Sequence, residues 1–429
     1  MRLSVLEGSL AQVFLNWTTG SVLTGYMLHL GASANQLALV ASVPLLAQAA
    51  SPLAAYLVTN LGHRKLFTML GAGLGRGLWA LAVLLPQLGI PEPLQPTFLV
   101  LCVLISSVFL SSNATLWSSW MADIVPAHRR GAYFGLRTGV IGVIGMLGNL
   151  LAGALLDRLA APLSFQLVLG IAVISGLLGM LLYLFHFDPP VSAARHSLAK
   201  LVQVPLRDAN FRRFLLFATY WQFSVFIAAP FVFPYFLDEL GMSFTQTAIW
   251  SVIALTCALG TTIFWGRIAD QSGNKAVLAV GTFVAGAVLP TCWILAGLSG
   301  NLDFIWASAV FDAVAWGAIG PAIFNLALAS APAPSRMMYM GMYSLASGVA
   351  GFLGGVLSGP LLSLLQQLEF SVFGLLISGY HLLFLLSGVA RAQAWRFLRG
   401  VEETNAWRTR DVLRYLRSGW RAIGMPWRS

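Results

Sequence analysis

The chain has 429 residues, of which 58% are hydrophobic and only 9% are charged. Soluble domains are roughly 45–50% apolar and about 25% charged, so this composition excludes a water-soluble protein and predicts an integral membrane protein. The formal net charge of +10 then indicates contact with anionic lipid headgroups and not with nucleic acid, because no soluble domain is predicted that could carry a nucleic-acid-binding face.

Apolar runs long enough to cross a membrane recur along the whole chain. A transmembrane helix needs about 20 mainly apolar residues, and the first such run is too long for a cleavable signal peptide and is followed by no small-residue cleavage site. We therefore interpret it as the first span. The predicted spans are 5–30, 36–59, 66–86, 97–121, 133–156 and 164–187, then 213–237, 246–265, 276–298, 304–330, 338–365 and 371–390.

The longest polar connection divides these spans six and six. The predicted domains are an N-terminal six-helix bundle over 1–187, a central loop over 188–212, a C-terminal six-helix bundle over 213–390 and a tail over 391–429. The tail alternates arginines with apolar residues at helical spacing, which predicts an amphipathic helix on the inner leaflet. A regulatory or partner-binding role is the alternative for this tail.

Basic residues concentrate on one side of the predicted topology. With a cytoplasmic N-terminus, nearly all of the 25 lysines and arginines fall in cytoplasmic segments, as the positive-inside rule requires. Arg158 falls outside and Arg76 falls within a span. We expect a multi-pass protein of the cytoplasmic (inner) membrane with both termini in the cytoplasm.

An internal repeat relates the two halves. The segment YFGLRTGVIGVIGMLGNLLAGALL, from Tyr133, aligns with YMGMYSLASGVAGFLGGVLSGPLL, from Tyr339. Several glycines coincide, including Gly142 with Gly348. Repeats are best sought before other features, because they fix the architecture. Spans five and eleven are therefore equivalent, and the two halves run in the same direction.

The segment GRIADQSGNK, residues 266–275, resembles the loop signature of the major facilitator superfamily. The first-half copy, AYLVTNLGHR, has Thr59 in place of the acidic residue. The resemblance covers residues 3–390 and implies an all-α membrane fold of twelve transmembrane helices in two parallel six-helix repeats. It also implies a substrate site near the bilayer midplane and transport by alternating access.

The resemblance further implies a cytoplasmic gate that is stronger in the second half. We place Asp270 in a loop, where it pairs with basic residues and a helix N-terminus when the outside is open. The alternative is a solvated turn with no gating role. The predicted gate residues are Gly266, Asp270, Gly273, Lys275, Arg130 and Arg336.

Four charged residues fall at membrane depth, where ionisable groups are costly and by default functional. Asp312, in span ten, is the candidate for ion coupling or substrate contact; a structural ion pair or hydrogen bond is the alternative. Arg76 has Asp312 or Glu7 as a candidate partner. Glu7 and Arg137 hold matching depths in spans one and five, so we expect an ion pair.

The helices that line the cavity in this family are rich in aromatic and amide side chains. Aromatic walls with a few polar groups are typical of ligand pockets, although interfacial belts and packing use the same residues. The substrate-cavity candidates are Asn16, Trp17, Tyr26, Asn113, Trp117, Tyr220, Trp221, Gln222, Trp316 and Asn325.

These features predict a secondary active transporter of a small organic solute, coupled to protons, with a preference for efflux of amphipathic or aromatic compounds. A solute-uptake symporter and a non-transporting membrane sensor or assembly factor are the alternatives. No phosphate loop, HExxH or Ser/His/Asp signature occurs and the three cysteines lack CxxC spacing, so we expect no enzyme, cofactor, metal or disulfide. The expected partners are the solute, protons and anionic lipid, and the expected state is a monomer.

Overall fold

The computed structural model describes residues 2–50, 58, 61–126, 130–189, 198–332, 335–368, 370–372 and 375–403. Most described residues are helical. In the described part of the chain, two short strands, Phe370–Val372 and Leu375–Ile377, pair antiparallel with Ser371 opposite Leu376. The predicted amphipathic helix of the tail lies outside the described residues, as do residues 190–197 of the central loop.

The first half folds into eight helices. A 3₁₀ turn follows the third helix and others follow the fifth and eighth. The helices are α1 (Arg2–Trp17), α2 (Gly20–His29), α3 (Ala34–Ala47), α4 (Arg64–Gly77), α5 (Trp79–Val83), α6 (Gln95–Ile124), α7 (Arg130–Arg158) and α8 (Leu163–Leu181).

The second half continues the series, with π-helical segments at Tyr235–Glu239 and Val284–Val288. Its helices are α9 (Leu198–Arg207), α10 (Ala209–Phe226), α11 (Phe244–Ser272), α12 (Asn274–Phe283), α13 (Leu289–Ser299), α14 (Asp303–Ala329), α15 (Arg336–Leu365) and α16 (Gly379–Arg399). Within the described ranges, nine helices are long and apolar enough to cross a membrane. The chain is a multi-pass membrane protein.

The first span is broken and does not form the continuous helix predicted over 5–30. α1 ends at Trp17 and α2 begins at Gly20, whose φ of 60° lies in the left-handed region. Thr18 and Thr19 direct their hydroxyls to the carbonyls of Phe14 and Leu15. Apolar composition alone does not reveal this break, because glycine and threonine are both common in membrane helices.

Span eight is longer than predicted, and Asp270 does not lie in a loop. α11 continues to Ser272, so Arg267 and Asp270 occupy its last turns and have exposed side chains. The connection to α12 is the single residue Gly273, at φ 85°. Only glycine adopts this conformation readily. The polar sequence before it is compatible with a helix end, and the loop prediction was therefore wrong.

The twelfth span is displaced from the predicted 371–390. Residues 370–377 contain the two short strands, and α16 runs from Gly379 to Arg399. A short apolar run cannot be assigned to strand or helix by hydropathy alone. Arg391, predicted to start the tail, is therefore buried within a helix, with 3% of its surface exposed.

Local hydrogen bonds repeat between the halves. The Trp79 indole donates to the Ser106 hydroxyl (3.0 Å), and Trp293 donates to Ser308 (3.2 Å). Helices α3 and α11 both begin with a Ser-x-x-Gln capping box, in which the serine hydroxyl and the glutamine side chain each bind the other's backbone N–H. The sequence repeat is thus also a repeat of side-chain contacts.

The chain forms two compact units. Unit one comprises Met1–Leu198, Val225–Val252 and Ser344–Leu383, and unit two comprises Ala199–Ser224, Ile253–Tyr343 and Phe384–Ser429. Unit one therefore takes helical segments from both predicted bundles. Large aromatic side chains fill both cores: Phe14, Trp17, Tyr26, Trp120 and Tyr183 in unit one, and Phe211, Phe214, Phe217 and Trp221 in unit two.

Candidate functional site

A buried charge cluster in unit one surrounds Glu7, of which only 2% is exposed. Its carboxylate lies 3.4 Å from the Arg137 guanidinium and 3.7 Å from that of Arg76. The Tyr183 hydroxyl donates a hydrogen bond of 3.0 Å to the same carboxylate. The expected Glu7–Arg137 ion pair is present, and Glu7 is also the partner of Arg76.

The Arg76 side chain is buried and is bound to the backbone of a neighbouring helix. It is 4% exposed, and its Nη1 donates to the Gly176 carbonyl at 2.7 Å, joining α4 to α8. A Cβ added at Gly176 would lie 3.0 Å from the Arg76 side chain. The glycine therefore makes the space that the arginine occupies, and the contact favours a structural role for Arg76.

Arg137 connects the cluster to a predicted cavity residue. Its Nε donates to the Ser4 carbonyl at 3.2 Å, and its guanidinium lies 4.2 Å from the centre of the Trp117 ring. A cation over an indole face is attracted by the ring quadrupole. Arg137 therefore holds α7 against α1, and its contact with Trp117 joins α7 to α6.

A second group of polar residues in unit two surrounds Asp312 in α14. Trp316 lies one turn further along the same helix, and its ring lies 6.2 Å from that of Trp221. Arg391 of α16 interacts electrostatically with Asp312. Three predicted site residues are thus brought together, with an arginine that was not predicted.

The π-helical segment explains how Arg391 is held. The Leu289 N–H donates to the Val284 carbonyl, five residues back, and not to Ala285. Pro290 has no N–H to offer. The Ala285 carbonyl accepts instead from Arg391 Nη1, at 3.1 Å. A local change in helix type, which often marks functional sites, thus positions the arginine near Asp312.

A small cleft of about 90 Å³ opens in unit one, beside the break in the first span. Its walls come from the α1–α2 junction, α7, the start of α11 and Phe233. Of the predicted cavity residues, Asn16 lies here, although Gln12 donates to its carbonyl and its own amide donates to the Gly145 carbonyl. Trp17, next to it, donates to the Gly148 carbonyl and is buried. We call this feature the Asn149 cleft, after the asparagine of α7 that lines it.

The other predicted cavity residues are divided between structural and accessible positions. Tyr26 is buried and donates to the Ala82 carbonyl, and Asn113 is buried and donates to the Thr68 carbonyl. Tyr220 packs against Phe397, with ring centroids 4.4 Å apart. Gln222 is partly buried and Asn325 is exposed, and neither side chain hydrogen-bonds another described residue.

Segments of the two repeats meet within unit one through glycine contacts, which we call the glycine seam. A Cβ added at Gly153 would lie 2.8 Å from the Phe244 carbonyl oxygen, and one added at Gly359 would lie 2.7 Å from the Asn35 Cα. Gly153 and Gly359 are equivalent in the sequence repeat. Each glycine thus lets the backbone approach the first turn of a helix from the other repeat.

On the Gly153 side of the glycine seam, a carboxylate also binds the helix N-terminus. The two carboxylate oxygens of Asp157 accept from the backbone N–H groups of Phe244 (2.9 Å) and Thr245 (2.8 Å), at the N-terminus of α11. Free N–H groups at a helix start favour an anion. The residue equivalent to Asp157 in the second repeat is Ser363, whose hydroxyl binds the Gly359 carbonyl of its own helix.

A lysine near the start of α4 and another near the start of α12 each bind backbone carbonyls at a helix end of their own unit. Lys65 Nζ donates to the carbonyls of Leu184 (2.8 Å) and His186 (3.0 Å), and Lys275 Nζ donates to those of Arg399 (2.9 Å) and Val401 (2.6 Å). The acceptors are backbone carbonyls, so the side-chain sequence carries no signal for these contacts.

The N-terminus of α12, predicted as part of the gate, is occupied by Glu403. Its carboxylate accepts from the N–H groups of Asn274 (2.9 Å) and Lys275 (2.8 Å) and from the Asn274 side chain. Asp270 and Arg336 are exposed, and the Arg130 side chain lies outside the described residues. Sequence reasoning missed Glu403 because it lies far along the chain from this turn.

A model of the Major Facilitator Superfamily matches the chain over residues 8–355 and 214–427. A mutant of the nucleoside transporter NupG has a TM-score of 0.71 and 14% identity, covering 93% of this chain and 99% of its own. A bacterial homologue of the human lysosomal transporter Spinster, inward-facing and occupied, has a TM-score of 0.72 and 16% identity, covering 95% of this chain and 97% of its own. A D-xylose-proton symporter has a TM-score of 0.68 and 16% identity, covering 95% of this chain and 97% of its own. No curated protein sequence matches the chain.

Proposed function

The chain belongs to the major facilitator superfamily, and we propose that it is a secondary active transporter that moves a small organic solute by alternating access. It is a membrane transporter and not an enzyme. We further propose that transport is coupled to protons and that its direction is uptake. The observation that carries the proposal is the glycine seam, because alternating access needs a contact between repeats that can open and close.

The seam is suited to reversible separation. It is made of backbone contacts at Gly153 and Gly359 and of one carboxylate on two N–H groups. Water can replace the two hydrogen bonds of the carboxylate when the seam opens, so each contributes only about 1.5–3 kcal/mol net, as hydrogen bonds to charged groups do. We propose that the protein lies in the cytoplasmic (inner) membrane. The seam would then lie at the outer face, and both termini would lie in the cytoplasm. The positive-inside distribution supports this orientation.

Asp312 remains the proposed coupling residue. It lies within a membrane-spanning helix, partly buried, with Arg391 as its charged neighbour and Trp316 one turn away on the same helix. An intramembrane carboxylate paired with an arginine has two distinct charge states when a proton binds and leaves. Proton binding would remove the attraction between Asp312 and Arg391, which keeps its hydrogen bond to the Ala285 carbonyl, and proton loss would restore that attraction.

Proton-coupled uptake is the direction that we propose. One structural neighbour is a D-xylose-proton symporter and another is a nucleoside transporter, and this similarity supports the uptake alternative over efflux of amphipathic compounds. The aromatic residues that favoured efflux are partly structural, since Trp17 and Tyr26 are buried and hydrogen-bonded. A sensor or assembly factor would show no solute flux.

We retain as proposals the six-plus-six organisation over 1–187 and 213–390, the monomeric state and the binding of anionic lipid by the tail. Asp270, with Gly266, Gly273 and Lys275, is retained as a cytoplasmic gate candidate together with Arg130 and Arg336. The exposed side chain of Asp270 supports this role, because an exposed acidic group at a helix end is free to pair when the conformation changes.

The function is tested with purified full-length protein in liposomes. Radiolabelled solutes of neutral, anionic and cationic classes are offered under an imposed proton gradient, and uptake is compared with protein-free liposomes. We expect gradient-dependent accumulation of at least one solute, abolished by a protonophore. Absence of flux for every class, with ligand-induced stabilisation retained, would instead support a sensor.

A further inference from the structure

We propose that His381 is a pH sensor at the outer end of unit one, which caps the start of α16 when neutral and releases it when protonated. His381 is 5% exposed and lies in the first turn of α16. In the proposed topology this turn faces the outside. The inference rests on the proposed opening of the glycine seam, and it adds a response to external pH that does not involve Asp312.

The start of α16 repeats a motif that occurs at two other helix starts in the described structure. α3 and α11 begin with Ser-x-x-Gln capping boxes, in which the side-chain oxygen of Gln36 or Gln246 accepts the serine N–H at 2.8 Å. α16 begins with a Ser-x-x-His sequence, and His381 Nδ1 accepts the Ser378 N–H at 3.2 Å. A titratable histidine therefore takes the position of the uncharged glutamine.

The capping box of α16 is only half formed and depends on the histidine. In the boxes of α3 and α11, the serine hydroxyl also accepts the glutamine N–H, at 3.4 and 3.1 Å. The Ser378 hydroxyl oxygen is instead buried and hydrogen-bonds none of the described residues. The His381 N–H donates to the Ser378 carbonyl at 3.1 Å. The side-chain cap that the described residues form here is therefore the contact through Nδ1.

The two ring contacts determine which nitrogen of His381 carries the proton. Nδ1 accepts a hydrogen bond and has no proton, so the proton of the neutral ring lies on Nε2. Nε2 is 3.2 Å from the Tyr235 hydroxyl, which accepts from it. A second proton must bind Nδ1, where it would face the Ser378 N–H. Because two donors cannot form a hydrogen bond with each other, protonation breaks the cap.

The surroundings offer little compensation for a positive charge on His381. The ring is buried at a helix N-terminus, which already carries a partial positive charge. Tyr235, in ring contact at 5.9 Å, is an uncharged phenol. Asp238 and Glu239, at the end of the same π-helical segment, are exposed and interact electrostatically with Tyr380, the residue before His381. Among the described residues, no salt bridge joins a carboxylate to His381.

The position of His381 relates this cap to the glycine seam. Its partner Tyr235 begins the π-helical segment that precedes α11. A Cβ added at Gly379 would lie 2.8 Å from the Gln366 backbone nitrogen, so the first turn of α16 packs against the end of α15. Helices α11 and α15 form the second-repeat side of the seam. Loss of the cap at acidic external pH would therefore loosen two seam elements at once and favour opening.

The first test measures the seam at different pH values without solute. Spin labels are attached to Leu94→Cys and Leu364→Cys, two exposed positions, in full-length protein without native cysteines in liposomes. The pH is lowered on both sides from about 8 to about 5, the range in which histidine changes charge. We expect the long-distance population to rise about threefold or more, as loss of a helix cap allows.

Three variants separate His381 from the other titratable groups. His381→Gln recreates the box of α3 and α11 and cannot titrate in this range, so its distances should not change with pH. His29→Gln, at an exposed position, and Asp312→Asn should respond as the labelled wild type does. An unchanged pH response in folded His381→Gln, or loss of the response in Asp312→Asn, would overturn the inference.

Amide exchange in the wild-type protein gives a second test that needs no variant. Hydrogen–deuterium exchange of residues 376–383 is compared with that of residues 33–40, which contain the glutamine box of α3, after correction for the intrinsic effect of pH. Between about pH 8 and 5, exchange at 376–383 should accelerate about tenfold relative to 33–40, because only the histidine cap is lost. Equal changes in both segments would overturn the inference. Neither test requires flux, so a negative result leaves the proposed transport function standing, and absence of flux leaves the sensor standing.

Discussion

Arg391 of α16 and Asp312 of α14 lie inside unit two and attract each other electrostatically. The arginine is almost fully buried and is also bound to the Ala285 carbonyl. A membrane-embedded carboxylate with such a neighbour is by default a functional candidate. The pair gives the proposed coupling a specific partner, which the position of Asp312 in the sequence alone could not supply.

Replacing Asp312 by asparagine should uncouple transport from protons. An amide cannot bind and release a proton, so we expect accumulation driven by a proton gradient to fall to the protein-free background, while exchange of solute at equal pH continues. The measurement is radiolabelled uptake in liposomes with and without a gradient. Asp303→Asn, an exposed position at the start of the same helix, is the control and should retain coupling; unchanged coupling in Asp312→Asn would disprove the assignment.

Replacing Glu7 by glutamine should destabilise the first unit strongly. The change leaves the Arg76 and Arg137 guanidiniums without their shared carboxylate, and removing one partner of a buried ion pair costs about 3–5 kcal/mol. Chemical unfolding in detergent measures the free energy. Glu92→Gln, at an exposed position, should change it by less than about 0.5 kcal/mol. A loss that small for Glu7→Gln would mean that the cluster contributes little to folding.

Replacing Asp157 by asparagine should favour opening of the glycine seam. The amide oxygen can accept only one of the two N–H groups and carries no charge for the N-terminus of α11. We expect a shift of about 1–2 kcal/mol toward the open form, seen as faster labelling of a cysteine introduced at Ser21 in a background without the three native cysteines. Asp238→Asn, also exposed, serves as the comparison, and equal labelling rates in both variants would argue against a lock.

Enlarging Gly153 should prevent the seam from closing. A leucine side chain there would overlap the Phe244 backbone, which lies within 3.0 Å of an added Cβ. We expect Gly153→Leu to abolish transport while the protein still folds in its open form. Gly139→Leu on the same helix is the matched control, because nothing lies within 4 Å of its added Cβ. Normal transport by Gly153→Leu would show that the contact is dispensable.

Removing the Glu403 carboxylate should weaken the end of unit two. Glu403→Ala leaves two N–H groups at the start of α12 without their acceptor, and losing such a cap costs about 0.5–2 kcal/mol. Asp270→Asn, at an exposed site, should leave stability unchanged. The thermal midpoint of each variant in detergent decides between them, and an equal midpoint for both would contradict the capping role.

The fold was largely predictable because its signals are periodic and local. Apolar runs gave the spans, and the glycines shared by residues 133–156 and 339–362 gave the repeat. Helix ends were less predictable, because the residues around Asp270 are compatible with both helix and loop, and only the positive φ at Gly273 ends the helix. The strands at 370–377 were missed for a related reason, since a short apolar run suits strand and helix alike.

The site was predictable by residue type but not by partner. Asp312 was predicted as a coupling residue, and Trp316 and Trp221 were predicted separately as cavity residues; their proximity was not predicted, and Arg391 was assigned to the tail. Asn149 was visible in span five, yet only the geometry shows that its amide is unused and lines a cleft. Contacts with backbone carbonyls, such as those of Lys275, leave no trace in the side-chain sequence.

The distance across the glycine seam tests alternating access most directly. Spin labels are attached to Leu94→Cys and Leu364→Cys in protein without native cysteines, reconstituted in liposomes. Both positions are exposed; Leu94 precedes the start of α6, and Leu364 lies at the end of α15. We expect a short-distance population at rest and a second, longer population when solute and a proton gradient are supplied. A single unchanged short distance during measured transport would contradict the account.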